Sequence, residues 1–278
     1  MSRLSLTATA QPWFERHVSE RPLLLLTNDD GIRAAGLRAL ERSLARLGEI
    51  WTVAPAAERS TTSHSVNLRR PLLVTPAGRR RFAVAGTPVD SVFVGLFGLL
   101  PRRPAVVVSG INYGPNLGTD TIYSGTVAAA REAALRGIPG VAVSLTDGRD
   151  YSAPARVAAP LVARVLAAGP AACREGRGVL LNLNVPPRPK PGLHLTCLGR
   201  RVYPEDVAVR RGRNGRMHAR IGGYPVRGDG TPGTDTRAID DGYASLSVLT
   251  LDFTQHDARR CFRALLAALD GTTKEVRR

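Results

Sequence analysis

Between residues 23 and 185, short unbroken apolar runs alternate with stretches whose apolar positions recur every three or four residues. The first pattern suits strands buried on both faces, the second amphipathic helices. Strands are predicted at 23–27, 50–54, 105–109, 141–145 and 179–185, and helices at 36–47, 124–136 and 154–168. The first helix carries Leu37, Leu40, Leu44 and Leu47 along one face and stops at Gly48. Residues 66–75 and 81–84, separated by Pro76, Ala77 and Gly78, are predicted to form a hairpin. Thr87-Pro88-Val89-Asp90 opens a further helix, running to about residue 100. Thr87 suits the N-cap, Pro88 the first helical position, and Asp90 complements the helix dipole. Strands and helices in alternation predict an α/β fold: a mostly parallel sheet with helices on both faces.

After Pro186 the pattern changes. The proline-rich stretch 186–191 reads as a boundary. Residues 193–250 hold short strand-like runs broken by glycine, arginine and proline, which predicts hairpins projecting from the core. Residues 243–251 are apolar enough to need a strand partner, and a second subunit can supply one, so a homodimer or homotetramer is expected. Residues 256–269 read as a final amphipathic helix. The expected organisation is an N-terminal extension, loosely ordered, at 1–20, a catalytic core at 21–190, a hairpin and assembly region at 191–255, and a C-terminal helix and tail at 256–278.

Composition narrows the picture. With 278 residues, 43% of them hydrophobic but only 5% aromatic, the chain must build its core from Ala, Val and Leu. No apolar run is long enough to span a membrane, and the first 20 residues lack the apolar stretch of a signal peptide, so a cytoplasmic protein without a membrane partner is expected. Cys173, Cys197 and Cys261 are odd in number and far apart, which suits reduced thiols better than disulfides or a zinc site. The net charge of +16 favours anionic ligands. Arginine supplies all but two of the 39 basic residues, the exceptions being Lys190 and Lys274. GC-rich coding produces that skew, so the charge is weak evidence for nucleic acid.

Ligands in open α/β sheets bind beyond the carboxyl ends of the strands. Three segments follow strands there: Asn28-Asp29-Asp30-Gly31, residues 54–65 with Ser60 and His64, and the glycine-rich stretch from Asn112 to Thr126. Adjacent carboxylates repel unless a cation sits between them, so Asp29 and Asp30 are candidate ligands of a hard divalent ion. The Ser60 hydroxyl and Asn112 amide oxygen can complete the protein's share. Asn-Asp-Asp-Gly is also ordinary turn chemistry, with Gly31 at positive φ. Ser124-Gly125-Thr126 offers backbone N–H groups at a helix start, the arrangement that cradles a phosphate, or simply caps a helix. A Walker loop, a Gly-x-Ser-x-Gly elbow and paired aspartates separated by one residue are all missing.

These runs, with Gly86-Thr87-Pro88-Val89-Asp90, Val108-Ser109-Gly110-Ile111-Asn112, Gly114-Pro115-Asn116-Leu117-Gly118 and Tyr123-Ser124-Gly125-Thr126, resemble the SurE family of stationary-phase survival proteins. Gly233-Thr234-Asp235-Thr236 and Asp241-Gly242-Tyr243 resemble that family's C-terminal region. The resemblance runs from about residue 21 to the final helix. It implies a Rossmann-like core with hairpin arms and a C-terminal segment used in assembly. The implied activity is 5′- and 3′-nucleotidase, with one divalent ion per subunit, Mg²⁺ or Mn²⁺. Asp29, Asp30, Ser60 and Asn112 align with the metal ligands, with Asp29 and Asp30 also catalytic. Asn28, Asn116, Ser124, Gly125 and Thr126 are the expected phosphate and substrate contacts. Where the family carries a charged Asp-Arg-Asn-Arg-Ser run, this chain has Ala56-Ala57-Glu58-Arg59-Ser60. His64 stands where the family often has asparagine. It is a candidate general acid, or a loop histidine.

The expected reaction is attack of water on a metal-bound phosphomonoester of a nucleoside, without a covalent intermediate. Alternatives are a broader phosphomonoesterase or exopolyphosphatase, and a basic nucleic-acid-binding protein with a vestigial site.

Overall fold

The computed structural model describes residues 21–174, 176–203, 207–212, 215–221 and 227–254. The expected N-terminal extension and the helix at 256–269 lie outside them. The main sheet contains β1 (Leu23–Thr27), β2 (Glu49–Pro55), β3 (Val74–Gly78), β4 (Arg81–Val84), β5 (Val106–Tyr113), β6 (Gly140–Leu145), β7 (Leu180–Val185), β8 (Lys190–Thr196) and, after the hairpin strands β9 (Val207–Arg211) and β10 (Met217–Ile221), β11 (Tyr243–Leu249). Its order is β8-β11-β7-β6-β5-β1-β2-β4-β3. From β7 to β4 all neighbours run parallel, as the unbroken apolar runs predict.

Helices cover both faces, and β1 shows how. Leu24 and Leu26 point to one side, into a cluster with α1 (Ala35–Leu44) and α4 (Ser152–Ala168). Leu23 and Leu25 point to the other, against α2 (Pro88–Val94) and α3 (Gly125–Leu135). In α3 the buried face is alanine, which lets helix and sheet approach closely: a β-carbon on Gly140 would lie 2.0 Å from Ala130 O. The start of α2 is a full capping box. Thr87 Oγ1 accepts from Asp90 N–H at 3.0 Å, and Asp90 Oδ2 accepts from Thr87 N–H at 2.8 Å.

Two expectations need correction. Residues 66–73 are not strand, and the hairpin turns at Arg79 and Arg80 rather than at 76–78. Pro76 sits inside β3, where a missing N–H is tolerated because β3 is the sheet's edge. The core also does not end at residue 190. β8 and β11 extend the same sheet, and β11 finds both partners within the chain, antiparallel β7 and parallel β8. Its need for a partner is therefore no argument for a second subunit. β9 and β10 form a separate two-stranded hairpin, whose Val207, Val209 and Met217 are exposed. No helix among the described residues is long and apolar enough to cross a membrane.

Candidate active site

Sequence order places β2 and β4 on one side of β1, and β5, β6 and β7 on the other. The chain therefore switches direction between β1 and β5, and a crevice opens beyond their carboxyl ends. Asp29 and Asp30 follow β1, and Asn112 lies near the end of β5. Asn28-Asp29-Asp30-Gly31 is a turn, one of the two readings the motif allows. Gly31 has φ 98°, and Asn28 Nδ2 donates to Gly31 O at 3.0 Å. Asn28 is fully buried with its amide nitrogen committed, so it braces the turn and is not among the cavity's lining residues.

Asn112 reaches the crevice through a bulge. Ser109 pairs with Ala142 but Asn112 with Ser144, so β5 spends one extra residue over that interval. Residues three apart then face the same side. Asn112 Nδ2 donates to Gly114 O at 2.8 Å, which leaves Oδ1 facing the Thr126 hydroxyl, 3.3 Å away.

The start of α3 closes the floor. Ser124 is the N-cap, its Oγ accepting from Val127 N–H at 3.1 Å. Thr126 points at Asp29: its N–H donates to Oδ2 at 3.3 Å and its hydroxyl to Oδ1. The helix N-terminus expected to cradle phosphate thus already holds one carboxylate, and Thr126, fully buried, is a brace for Asp29. Gly125 is just as confined, since a β-carbon there would lie 3.0 Å from Asp29 Cβ and 3.1 Å from Asp29 Oδ2.

Burial pushes the Asp29 carboxyl up from its ordinary range, against the Thr126 hydrogen bond. Burial, joined by the Asp29 charge, pushes Asp30 up to about 6, although Tyr113 N–H donates to its Oδ2 at 3.1 Å. Glu58 adds to the negative potential on both. Such a cluster favours a cation. The donors at hand are two carboxylates, an amide oxygen and a hydroxyl, all hard oxygen ligands, and no group of three His, Cys, Asp or Glu that could hold a metal occurs among the described residues.

The cavity above this floor measures about 530 Å³. Asp29, Ser60, Asn112, Asn116 and Ser124 all line it, so five of the expected site residues are brought together. Ser60 arrives on an exposed loop, tied down by Arg59 N–H donating to Asp29 O at 2.7 Å. Asn116 is fixed by a buried polar network: its N–H donates to Asn184 Oδ1 at 2.9 Å, and Nδ2 to Ser144 Oγ at 2.8 Å.

Set against known proteins, the chain matches the family described as Survival protein SurE over residues 24–205. The chain belongs to the SurE family. A protein of Sorangium cellulosum named 5′-nucleotidase SurE is 46% identical over 255 residues, covering 89% of this chain and 96% of its own. One of the same name from Anaeromyxobacter dehalogenans is 47% identical over 239 residues, covering 84% and 91%. The crystal structure of a SurE protein from Aquifex aeolicus aligns with a TM-score of 0.74 at 33% identity, over 88% of this chain and 100% of that one.

Within this SurE chain, His64 stands apart from the other expected site residues. Its Nε2 lies 2.8 Å from Glu132 Oε2 on α3, whose other oxygen accepts from Arg136 Nε at 2.7 Å. His64 does not line the cavity; it fastens the Ser60 loop to α3. Burial raises the Glu132 carboxyl, but the His64 and Arg136 hydrogen bonds outweigh it and hold the group below its ordinary value.

Sequence reasoning missed the outer wall. Asp120 lines the cavity and accepts from Arg201 Nε at 3.0 Å and from the Tyr203 hydroxyl at 2.6 Å. Asp235, fully buried, accepts from Gly118 N–H at 2.8 Å and Gly199 N–H at 2.7 Å, which ties that wall to α5 (Asp235–Asp240). Polar Asn182 and Asn184 inside the apolar run of β7 were a legible sign of the Asn116 network. Nothing in the pattern marked Asp120 or Tyr203.

Proposed function

We propose that this SurE protein is a divalent-metal-dependent phosphatase that hydrolyses nucleoside 5′- and 3′-monophosphates. The observation that carries the reading is the convergence of Asp29, Asp30, Asn112 and Ser60, a cation-seeking set of oxygen donors, beside the start of α3. These residues fit one Mg²⁺ or Mn²⁺ ion. When bound, such an ion neutralises charge on the phosphoryl oxygens and acidifies water. Thr126 fixes the Asp29 carboxylate. Asp30, less buried, orients the attacking water. The Ser124 hydroxyl, whose oxygen accepts from Val127 N–H, keeps its own hydrogen free to donate a hydrogen bond to a phosphoryl oxygen. We also infer assembly as a homodimer or homotetramer. Support comes from the outer edge of β8, which pairs with no further strand among the described residues and exposes Leu195, and from the apolar side chains of the β9–β10 hairpin.

The test is phosphate release from a panel of nucleoside monophosphates and simple phosphomonoesters, with EDTA and with Mg²⁺ or Mn²⁺ added back. Activity should vanish with chelator and return with the ion. Asp30→Asn should lower turnover roughly 100- to 1,000-fold with an unchanged melting temperature. Near-full turnover of that variant would sink the metal assignment.

A further inference from the structure

The cavity is far larger than a phosphate needs. Its volume of about 530 Å³ falls among pockets that enclose a whole small ligand. Its floor is polar, with Asp29, Asn112 and Ser124. Its mouth is aromatic: Tyr113, Tyr123 and Tyr203 all line it and stay 55%, 61% and 48% exposed. Three half-exposed phenol rings around one opening form the kind of surface on which a flat heteroaromatic ring stacks.

The three rings are not equivalent. Tyr113 already carries the Arg149 guanidinium 5.7 Å from its ring centroid. Tyr123 directly precedes the N-cap Ser124, so it belongs to the wall beside the start of α3. Tyr203 lies on the segment that follows β8. Its hydroxyl donates to Asp120 Oδ1 at 2.6 Å, and Arg201 Nε holds the other oxygen of that carboxylate at 3.0 Å. Burial, reinforced by the bond to Asp120, pushes the phenol up to about 12, so it stays a neutral donor across the working pH range. The Asp120 charge is matched by Arg201, so it repels an incoming phosphate less. A ring pinned at its hydroxyl presents a fixed face, and a fixed face loses little entropy when a ligand stacks on it.

We propose that Tyr203, pinned by Asp120 and Arg201 at the cavity mouth, is the stacking face for the substrate's nucleobase and sets the preference for nucleotides over phosphomonoesters that lack a base. Asp120 is a positioning residue in this arrangement, acting through the Tyr203 ring. The proposal rests on the phosphatase reading for its substrate class, but its geometry needs only a ligand with a flat ring.

The experiment compares wild type with Tyr203→Ala, Tyr203→Phe and Asp120→Asn on two substrates, AMP and ribose 5-phosphate, and separately measures adenosine binding by NMR titration without metal. Tyr203→Ala should raise KM for AMP about tenfold, in line with the loss of one base–aromatic stack, with kcat within about twofold. Its kcat/KM for ribose 5-phosphate should not change. Adenosine binding should weaken by the same factor. Tyr203→Phe keeps the ring but frees it, so it and Asp120→Asn should fall between wild type and Tyr203→Ala. An equal loss on both substrates would make Tyr203 merely structural, and unchanged KM and adenosine binding in Tyr203→Ala would overturn the proposal outright. Wild type that hydrolyses neither substrate but binds adenosine in a Tyr203-dependent way would refute the phosphatase reading and keep the stacking face. Absent adenosine binding in wild type would do the reverse.

Discussion

The floor and the mouth of the cavity are built differently. At the floor, Asp29 is 4% exposed and Thr126 fully buried, and the pair joins β1 to α3 while Asn112 brings in β5. At the mouth, Tyr203 rides on an exposed segment and is held by one carboxylate, Asp120. A floor side chain cannot move without disturbing two or three elements, whereas a mouth side chain can be replaced with little effect on packing. The chemistry common to any phosphomonoester therefore sits where the fold over-determines it. Discrimination among substrates sits where substitution is cheap.

The sharpest way to break this contrast is Gly125→Val. Read as a phosphate cradle alone, Gly125 predicts lost phosphate binding and untouched metal affinity. The structure changes that expectation, because a β-carbon at 125 would meet Asp29 Cβ at 3.0 Å and Pro88 Cγ at 3.1 Å, and valine adds two further carbons. Overpacking of this kind costs about 1–3 kcal/mol. Melting temperature, Mn²⁺ affinity by calorimetry and phosphate inhibition should all fall together, with turnover down about 100-fold. Mn²⁺ affinity equal to wild type in a folded variant would separate Gly125 from Asp29 and restore the simple cradle.

A subtler probe of the floor is Thr126→Val, which keeps shape and the backbone N–H but removes the hydroxyl that Asp29 and Asn112 share. Partners one step removed from a metal typically alter affinity or activity by about 10- to 100-fold. A loss at the low end of that range is expected in both Mn²⁺ affinity and kcat, with KM for nucleotide nearly constant. Thr126→Ser should recover most of it. A variant that changed KM alone would place Thr126 on the substrate instead.

The floor was more legible in the sequence than the mouth, for physical reasons. Leu23–Thr27 followed by two aspartates, and Thr87-Pro88-Val89-Asp90 at a helix start, are local signals: strand burial and capping are decided within a few residues. Which donor faces which acceptor is decided by tertiary packing. Thr126 looked like a phosphate contact because helix starts bind anions, and the anion it binds first is Asp29. His64 looked available for acid catalysis until α3 placed Glu132 against it, 68 residues away in sequence. The Asp120–Tyr203 bond spans 83 residues and joins a single 3₁₀ turn to a loop, so no periodicity could announce it. The boundary at residue 190 failed for a related reason. The proline-rich run marks a connection, but β8 and β11 return to the same sheet by pairings that only the fold reveals.

The smallest expected effect concerns the fastening between these two regions. Glu132 lies on the buried side of α3 and holds His64, and with it the Ser60 loop, while also accepting from Arg136. Its carboxyl is held below its ordinary value of 4.5 in the folded protein. The sign follows directly. A carboxyl whose folded value is depressed adds stability at pH above its unfolded value, and that stability disappears as pH falls below about 4.5 and through the folded value. Glu132→Gln removes the charge but keeps the shape. It should lower stability by about 1.5–3 kcal/mol near pH 7, the range for hydrogen bonds to a charged group, and should narrow its gap to wild type as pH falls below about 4.5. If the loop is fastened this way, the variant should also bind Mn²⁺ more weakly through Ser60, by no more than about threefold, with the KM ratio of AMP to ribose 5-phosphate unchanged. Urea melts at pH 7 and pH 4 decide the first point, and a constant difference between the two proteins at both pH values would show that Glu132 is not the group that titrates. A shifted KM ratio would show that the loop governs the mouth as well as the metal, and the division between floor and mouth would fail there.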